Sequence, residues 1–272
     1  MSEQELMSEV AKEIAKDVYL DAGKPVMKAV GELFGLVPRA LKAVLFPVEK
    51  WIVGREYNLA ETKKLLQQKL ENIPPEQIEV PEAHIAIPTL QYISYCMDNY
   101  ELRNMYANLL ASSMNKAVKN GVHPSFGEII KQLCPDEAKI MKLFYKNVSI
   151  PTISLIRKND KGIYRKVIEC FSIVGFEAGC EHPMDTINYF NNLIRLGLIE
   201  KGEPGEGYND KSVYDTLINH SFIKEQIDEI ISETEFNIPD YDMGYIKLTP
   251  FGNSFCKICL DEPFNQDNSP NA

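Results

Sequence analysis

A run of residues at helical spacing in the middle of the chain most constrains its fold. These mostly apolar residues follow the i, i+3, i+4, i+7 pattern: Leu102, Met105, Tyr106, Leu109, Leu110, Ser113, Met114 and Ala117. This spacing places them on one face of an α-helix and predicts that the face is buried. A stripe of methionine and aromatic residues is typical of a helix core face, so we expect packing rather than a cofactor site.

A second amphipathic stretch lies near the N-terminus, between Val26 and Gly54. Its charged residues fall on one helical stripe, and these charges interrupt every apolar run that could approach the roughly 20 residues needed to span a bilayer. The opposite side is apolar and includes Phe34, Leu41, Leu45 and Trp51. The pattern predicts helices that pack on the rest of the protein, or that touch a membrane surface or a partner through this apolar side.

Proline marks the best candidate for a domain boundary. The segment Ile73–Pro88 predicts an extended connector, because proline disfavours helical backbone in the residue before it. Asp98 and Glu101 then have capping-box spacing for the next helix. The predicted organisation is N-terminal amphipathic helices at 1–72, a connector with a central helical pair at 73–121, a winged-helix-like domain at 122–262 and a disordered tail at 263–272.

The second half of the chain has the outline of a winged helix-turn-helix. Hydrophobic runs flank a turn signal at Asn159, Asp160 and Gly162. A later helix ends in Leu-Gly-Leu-Ile-Glu, where Gly197 fits a helix C-cap and Ile199 opens a strand. After an acidic insertion, Tyr-Ile-Lys-Leu-Thr fits a return strand that leads into a final helix. The predicted fold class is mainly α, with helical N-terminal and central regions followed by a winged-helix module that carries a small antiparallel β-hairpin wing.

Charge is unevenly distributed and bears on the partner of this module. Residues 200–272 contain five Lys or Arg against fifteen Asp or Glu, which accounts for the whole formal net charge of −10. The helix at 184–196 would occupy the recognition position, and its Asn188, Asn192 and Arg195 are candidate DNA or partner contacts. An acidic wing would be repelled by phosphates, so we expect docking to a protein. A winged-helix DNA-binding regulator is the alternative.

The cysteines and histidines do not form a recognisable reactive site. Cys256 and Cys259, with Cys180 and His182, supply zinc-ligand residue types, but the C-x-x-C pair has helical spacing among apolar residues and predicts buried free thiols. No histidine stands at catalytic spacing from a nucleophile, and no glycine-rich phosphate loop occurs in a suitable context. We therefore expect a non-enzymatic protein without catalytic residues, metal or cofactor.

Scattered cysteines and the absence of a signal-peptide pattern predict reduced thiols in the cytoplasm. If the N-terminal helices touch lipid, the protein would be peripheral at the membrane. A protein partner is expected, a membrane surface is an alternative, and nucleic acid is less expected.

The segment before the predicted winged-helix module contains the start signals of two successive helices. Ser125 and Glu128 have capping-box spacing for one helix. Pro135, Asp136 and Glu137 fit the first turn of the next helix, where the helix macrodipole accounts for the acidic pair.

Two stretches resemble the abortive infection alpha (Abi-alpha) family of bacterial proteins. They are YELRNMYANLLASSMNKAVKNGVHPSFGEIIKQLCPDEAKIMKLF and FSIVGFEAGCEHPMDTINYFNNLIRLGLIEKG. The resemblance spans about Ile73 to Leu260 and is most specific from Leu102 to Ala138. It implies a prokaryotic protein associated with phage defence, with no established catalytic residues to carry over. One departure is Cys134, which stands where a serine is expected before Pro-Asp-Glu and weakens that helix cap.

Overall fold

The computed structural model describes residues 64–260 except 72, 97, 148, 204 and 205. Most of the predicted N-terminal helices, residues 1–63 with Phe34, Leu41, Leu45 and Trp51, lie outside the described residues, as does the predicted tail. The described chain divides into two compact units. One contains the described residues up to Leu133 together with 257–260, and the other is Cys134–Cys256.

The first unit is built from helices. Residues 64–70 are helical, and α1 (Ala83–Tyr95), α2 (Tyr100–Met114) and α3 (Phe126–Lys131) follow. The predicted burial of α2 is confirmed, and it extends beyond one face, since every residue from Asn104 to Met114 is buried. One core cluster contains Leu66, Leu70, Ile73, Ala86, Leu90, Leu110, Ala111 and Met114. The apolar pattern ends with the helix, and Ala117 is exposed.

The proline-rich segment is only partly extended, so its prediction is corrected. A short 3-10 helix occupies Pro75–Gln77, and the backbone on either side of Ile78 then bonds to the end of α2 (Glu79 N to Met114 O, 2.8 Å). The α1 helix begins at Ala83 and contains Pro88. Proline removes one intrahelical bond, but it does not end a helix whose following residues pack in the core.

Two predicted capping boxes are also corrected. The N-cap of α2 is Asn99 rather than Asp98, and its side chain accepts the Leu102 N–H at 3.0 Å. Ser125 does hold the N-cap position of α3, but its hydroxyl lies 2.7 Å from His123 Nδ1 and caps no backbone group. Glu128 bonds instead to the Tyr92 hydroxyl on α1. At α3 the Ser125 hydroxyl and the Glu128 carboxylate thus bond to other side chains and not to the backbone groups that the motif assigns to them.

The second unit is a sheet with helices. Its elements are α4 (Pro135–Asn147), β1 (Ser149–Lys158), β2 (Tyr164–Phe171), α5 (Val174–Glu177), α6 (Thr186–Arg195), β3 (Ile199–Lys201), α7 (Asp215–Ile218), α8 (Ser221–Ser232) and β4 (Ile238–Leu248). The final described helix, α9 (Pro250–Cys259), follows directly on β4 and Thr249, as predicted for the return strand. None of the helices in the described part of the chain has the length and apolar character that a bilayer crossing requires.

The prediction of a winged-helix module with a small hairpin wing is wrong. The four strands form one antiparallel sheet in the order β2-β1-β4-β3. β4 pairs with β1 along its length, from Ser149 opposite Lys247 to Lys158 opposite Ile238, whereas its pairing with β3 covers only three residues. The predicted return strand, β4, therefore pairs mainly with β1, because β1 is long and apolar and offers β4 more backbone hydrogen bonds and a buried face.

The acidic insertion is not a wing but covers part of the sheet. It forms α7 and α8, whose buried side chains Leu217 and Ile223 share a core cluster with Ile153 of β1 and Phe171 of β2. The predicted C-cap is confirmed, because Gly197 has φ +72° and the Leu198 N–H bonds back to the Leu193 carbonyl at 3.0 Å. Only glycine adopts this backbone conformation without strain.

Candidate interaction surface

A buried carboxylate joins the first turn of α4 to the segment before α6. Asp136 is 5% exposed. Its Oδ1 accepts the Glu181 N–H at 3.0 Å and the Lys139 ammonium at 3.1 Å. Its Oδ2 accepts the His182 N–H and the Tyr189 hydroxyl, both at 3.1 Å. The helix macrodipole therefore explains only part of the role of Asp136, since its side chain also holds a distant part of the chain in place.

Hydrogen bonding sets the ionisation of Asp136. Burial by itself would raise the pKa of this carboxyl, but the N–H groups of Glu181 and His182 outweigh it, with further help from Lys139 and Tyr189. The result is a pKa of about 2. A carboxylate that is ionised at neutral pH and whose oxygens are occupied by donors of its own fold is poorly suited to take a proton from a substrate.

The neighbouring carboxylate binds the helix on which contact residues were predicted. Glu137 is also buried, and it accepts the Cys134 N–H at 2.7 Å and the Asn192 amide at 2.8 Å. Burial raises the pKa of Glu137, and the two hydrogen bonds offset only part of that effect. The side chain thus connects the start of α4 to the middle of α6.

Half of a capping box is present at the start of α4. The Cys134 carbonyl accepts the Ala138 N–H at 3.2 Å, as an N-cap carbonyl does, and Glu137 returns to the Cys134 N–H. The missing half is a strong side-chain acceptor, because the Cys134 thiol is a weak one. This geometry agrees with the expectation that cysteine here weakens the cap.

Cys134→Ser should therefore stabilise the protein. A serine hydroxyl would complete the reciprocal cap and raise the free energy of unfolding by about 0.5–1 kcal/mol. Chemical unfolding followed by circular dichroism measures the change. Cys134→Ala is the control and should bring no gain, and equal stability of the serine and alanine variants would contradict the prediction.

The structure brings Asn192 and Arg195 together and places Asn188 one turn earlier on α6. Asn192 Oδ1 accepts from Arg195 Nη2 at 2.6 Å and from Nε at 3.1 Å. Asn188 is exposed, Asn192 is half-buried and Arg195 is exposed. Part of the hydrogen-bonding capacity of Asn192 and Arg195 is thus used within the fold, and a contact role for the three residues stays a prediction.

The residues whose types could bind zinc, for which the sequence predicted free thiols and no metal, lie in different surroundings. Cys256 and Cys259 are fully buried within α9, whereas Cys180 is half-buried with its thiol 3.7 Å from the Asp136 carbonyl oxygen. Within the described residues, no group of three or more histidine, cysteine, aspartate or glutamate side chains is arranged to hold a metal ion.

The hairpin that joins β1 to β2 exposes apolar side chains beside cationic ones. Ile163, Tyr164 and Val167 are 56%, 61% and 37% exposed. We call residues 157–169 the β1–β2 hairpin. Its turn follows the sequence signal, because Gly162 has φ +77° and the Asn159 side chain accepts the N–H groups of Lys161 and Ile163 at 3.1 and 2.9 Å. A turn held in this way presents the exposed residues on a defined backbone.

Sequence reasoning found the hairpin turn but not its exposed surface. The available signal was the Tyr-Arg-Lys-Val run after Gly162, in which apolar and cationic residues mix. Its exposure depends on β2 lying at the edge of the sheet, which follows from pairing between β1 and β4. That pairing joins residues about ninety positions apart, so the local pattern does not encode it.

Comparisons with known proteins place the chain in a family. One similar solved structure is an uncharacterized protein from the hydrocarbon-degrading marine bacterium Alcanivorax borkumensis SK2, with 14% identity, a TM-score of 0.36, and coverage of 54% of this chain and 96% of that chain. A likeness of this size supports no argument about fold or function. No curated protein matches the chain. A family model described as abortive infection alpha matches residues 54–259. The match covers most of the sequence and agrees with the resemblance carried by the two quoted stretches, and the chain belongs to the abortive infection alpha family.

Proposed function

We propose that this protein acts in abortive infection without catalysing a reaction, by binding a protein partner through the β1–β2 hairpin. Family membership supports a role of the abortive-infection type. The observation that carries the interaction proposal is the group of exposed apolar residues Ile163, Tyr164 and Val167 on a turn that is fixed by hydrogen bonds. Exposed apolar residues that cluster, rather than occur singly, mark interaction sites.

The chemistry of the buried acids favours binding over catalysis. Asp136 and Glu137 are the described acidic side chains with the strongest burial, and both accept hydrogen bonds that join α4 to α6 or to the segment before it. Such groups stabilise the scaffold on which a binding surface is presented. The protein would then act in the cytoplasm or at a membrane surface, where the predicted N-terminal apolar side could add a lipid contact that liposome flotation measures.

Ile163→Asp tests the proposed function. A charge in place of an exposed apolar contact should weaken retention of the partner in a pull-down from infected cells by about tenfold or more, as expected for a central interface residue. Protection in a phage-challenge assay should fall with it. Both assays use the full chain, and immunoblotting checks that the variant accumulates to the level of the original protein.

Ile231→Asp is a matched control for this experiment. Ile231 is 57% exposed on α8, against 56% for Ile163, and the substitution changes charge and side-chain volume equally. It should leave both protection and partner retention unchanged. Equal protection by the original protein and the Ile163→Asp variant, at equal protein levels across a broad phage panel, would count against the hairpin as the functional surface.

A further inference from the structure

The sheet has two edges that differ in length. β3 lies at one edge and has three residues, whereas β2 lies at the other and has eight. An edge strand carries unpaired N–H and C=O groups that can bond to another extended chain. A three-residue edge offers little for such pairing, so β2 is the edge to consider.

Only the first half of β2 is open. Its second half departs from regular pairing near Leu155, and its last residues, Cys170 and Phe171, are buried. Residues 164–167 are exposed, and 164–166 pair regularly with β1, with Lys158 opposite Tyr164 and Arg157 opposite Arg165. The accessible edge is therefore a short, regular strand that starts at the hairpin turn.

The direction of its backbone groups follows from the turn. The Asn159 N–H donates to the Ile163 carbonyl at 3.0 Å, so this pair faces inward across the hairpin. Antiparallel pairing alternates between residues that bond to the neighbouring strand and residues that face away from it. Tyr164 and Lys166 therefore direct their N–H and C=O groups away from β1, toward the open edge.

We propose that this open edge of β2 binds an extended acidic segment of a partner protein, which adds to the sheet as a fifth strand. The inference rests on the proposed function and names the kind of partner. Charge supports it, since the hairpin contains five cationic residues, Arg157, Lys158, Lys161, Arg165 and Lys166, against two acidic ones, Asp160 and Glu169.

The hairpin cations are only partly neutralised within the fold. Arg157 and Lys158 form ion pairs with Glu233 and Asp240, which lie outside the hairpin. Arg165 instead lies over the Phe236 ring at 4.3 Å, a contact that leaves its charge uncompensated.

Glu169, near the end of β2, pairs with two cations, one on each edge strand of the sheet. Lys166 and Lys201 share Glu169, at 3.3 and 3.0 Å. A positive excess therefore remains beside the open strand, and it would attract a partner of opposite charge.

The same charges argue against a second copy of this chain as the occupant. Pairing β2 with β2 of another copy would bring two sets of Arg165 and Lys166 together, and like charges across neighbouring strands are destabilising. Natural edge strands use such cations to prevent self-association. An acidic strand would instead meet these cations, and an apolar residue opposite Tyr164 would contact its exposed ring on the face that also carries Lys166.

Peptide binding to the full chain tests the inference. The probe is a fluorescent eight-residue peptide of alternating glutamate and valine, and a lysine and valine peptide is its matched control. Fluorescence anisotropy should show that the acidic peptide binds and the lysine peptide does not, and the affinity for the acidic peptide should fall as salt rises. Hydrogen exchange should show that the Tyr164 and Lys166 amides become protected when the peptide is bound.

Charge reversal locates the binding site. Lys166→Glu and Lys161→Glu should each weaken binding of the acidic peptide several-fold or more, whereas Lys224→Glu, on the exposed surface of α8, should leave it unchanged. Thermal unfolding checks that each variant is folded. Two hairpin variants are used because Lys166 also pairs with Glu169, whereas Lys161 lies in the turn.

Four outcomes would overturn strand addition by an acidic segment. They are no binding of the acidic peptide, equal binding to the Lys161→Glu and Lys224→Glu variants, displacement of the peptide by a single-stranded oligonucleotide that binds more tightly, and β2 protection that rises with protein concentration without peptide. Phage protection is read separately. If Ile163→Asp loses protection but the original protein binds no acidic peptide, only this inference fails. If the original protein binds the peptide but Ile163→Asp keeps full protection, the proposed function fails.

Discussion

Replacing Asp136 with alanine should lower the free energy of unfolding by about 3–5 kcal/mol, since it removes one partner of a buried, charge-assisted network. The N–H groups of Glu181 and His182 would lose the acceptor that the buried Asp136 side chain supplies, and the Tyr189 hydroxyl would keep only the His182 carbonyl, at 3.2 Å. The Lys139 ammonium would lose its ion-pair partner.

Chemical unfolding monitored by circular dichroism measures this loss. Asp160→Ala is the control, because Asp160 is exposed in the hairpin turn and its removal should change stability by less than about 0.5 kcal/mol. Asp136→Asn keeps one oxygen acceptor but turns an amide toward donors, and its stability should lie between alanine and aspartate. A loss below about 1 kcal/mol for Asp136→Ala would show that the network contributes little.

The same carboxylate predicts how stability depends on pH. Its pKa is about 2 in the folded protein against an ordinary value of 3.8, so folding favours the ionised form. The resulting stabilisation is about 2 kcal/mol, and it is fully present above about pH 4 and lost as pH falls through 2. The Asp136→Asn variant should lack this contribution, so its unfolding free energy should decline less steeply than that of the original protein between pH 4 and 2.

The position of Asp136 was predictable from the sequence, but its surroundings were not. Pro135 followed by two acids is a strong local signal for a first helical turn, and the structure confirms that turn. Lys139 lies one turn away, but the other three partners of Asp136 lie more than forty residues later, and two of them are backbone N–H groups, which carry no sequence signature. The sequence therefore indicated a helix start and left its connecting role unseen.

The sheet shows the same division between local and distant signals. Gly162 and Gly197 were identified because a positive φ strongly favours glycine, and the elements that they end or join are confirmed. The winged-helix prediction failed because it paired β4 with β3, its partner in a familiar outline. Pairing of β4 with β1 depends on which apolar strand offers the longer ladder, and a single sequence does not state that choice.

The start of α9 is a second place where a large effect is expected. Thr249 caps this helix, because its hydroxyl oxygen accepts the Gly252 N–H at 2.8 Å. The same hydroxyl lies 2.6 Å from the Gly197 carbonyl oxygen, and the Thr249 N–H bonds to the Leu198 carbonyl at 3.1 Å. These bonds hold the first turn of the helix directly against the backbone that leads into β3.

Gly252→Ala should destabilise the protein by about 2–3 kcal/mol, because a methyl group has no space there and would force the packed backbone apart. A Cβ atom at this position would lie 1.8 Å from the Leu198 carbonyl oxygen. Helix propensity alone predicts the opposite sign, a gain of about 1 kcal/mol for alanine over glycine.

The measured sign of this change therefore distinguishes close backbone packing from local preference as the reason for the glycine. Asn253→Ala is the matched control on the same turn, since Asn253 is exposed and alanine should change stability there by less than about 0.5 kcal/mol. If Gly252→Ala instead raised the unfolding free energy, α9 would not lie against Leu198 as closely as described. A loss confined to Gly252 would mean that the first turn of α9 is fixed by contact with Leu198, the residue before β3, although β4 forms its longer ladder with β1.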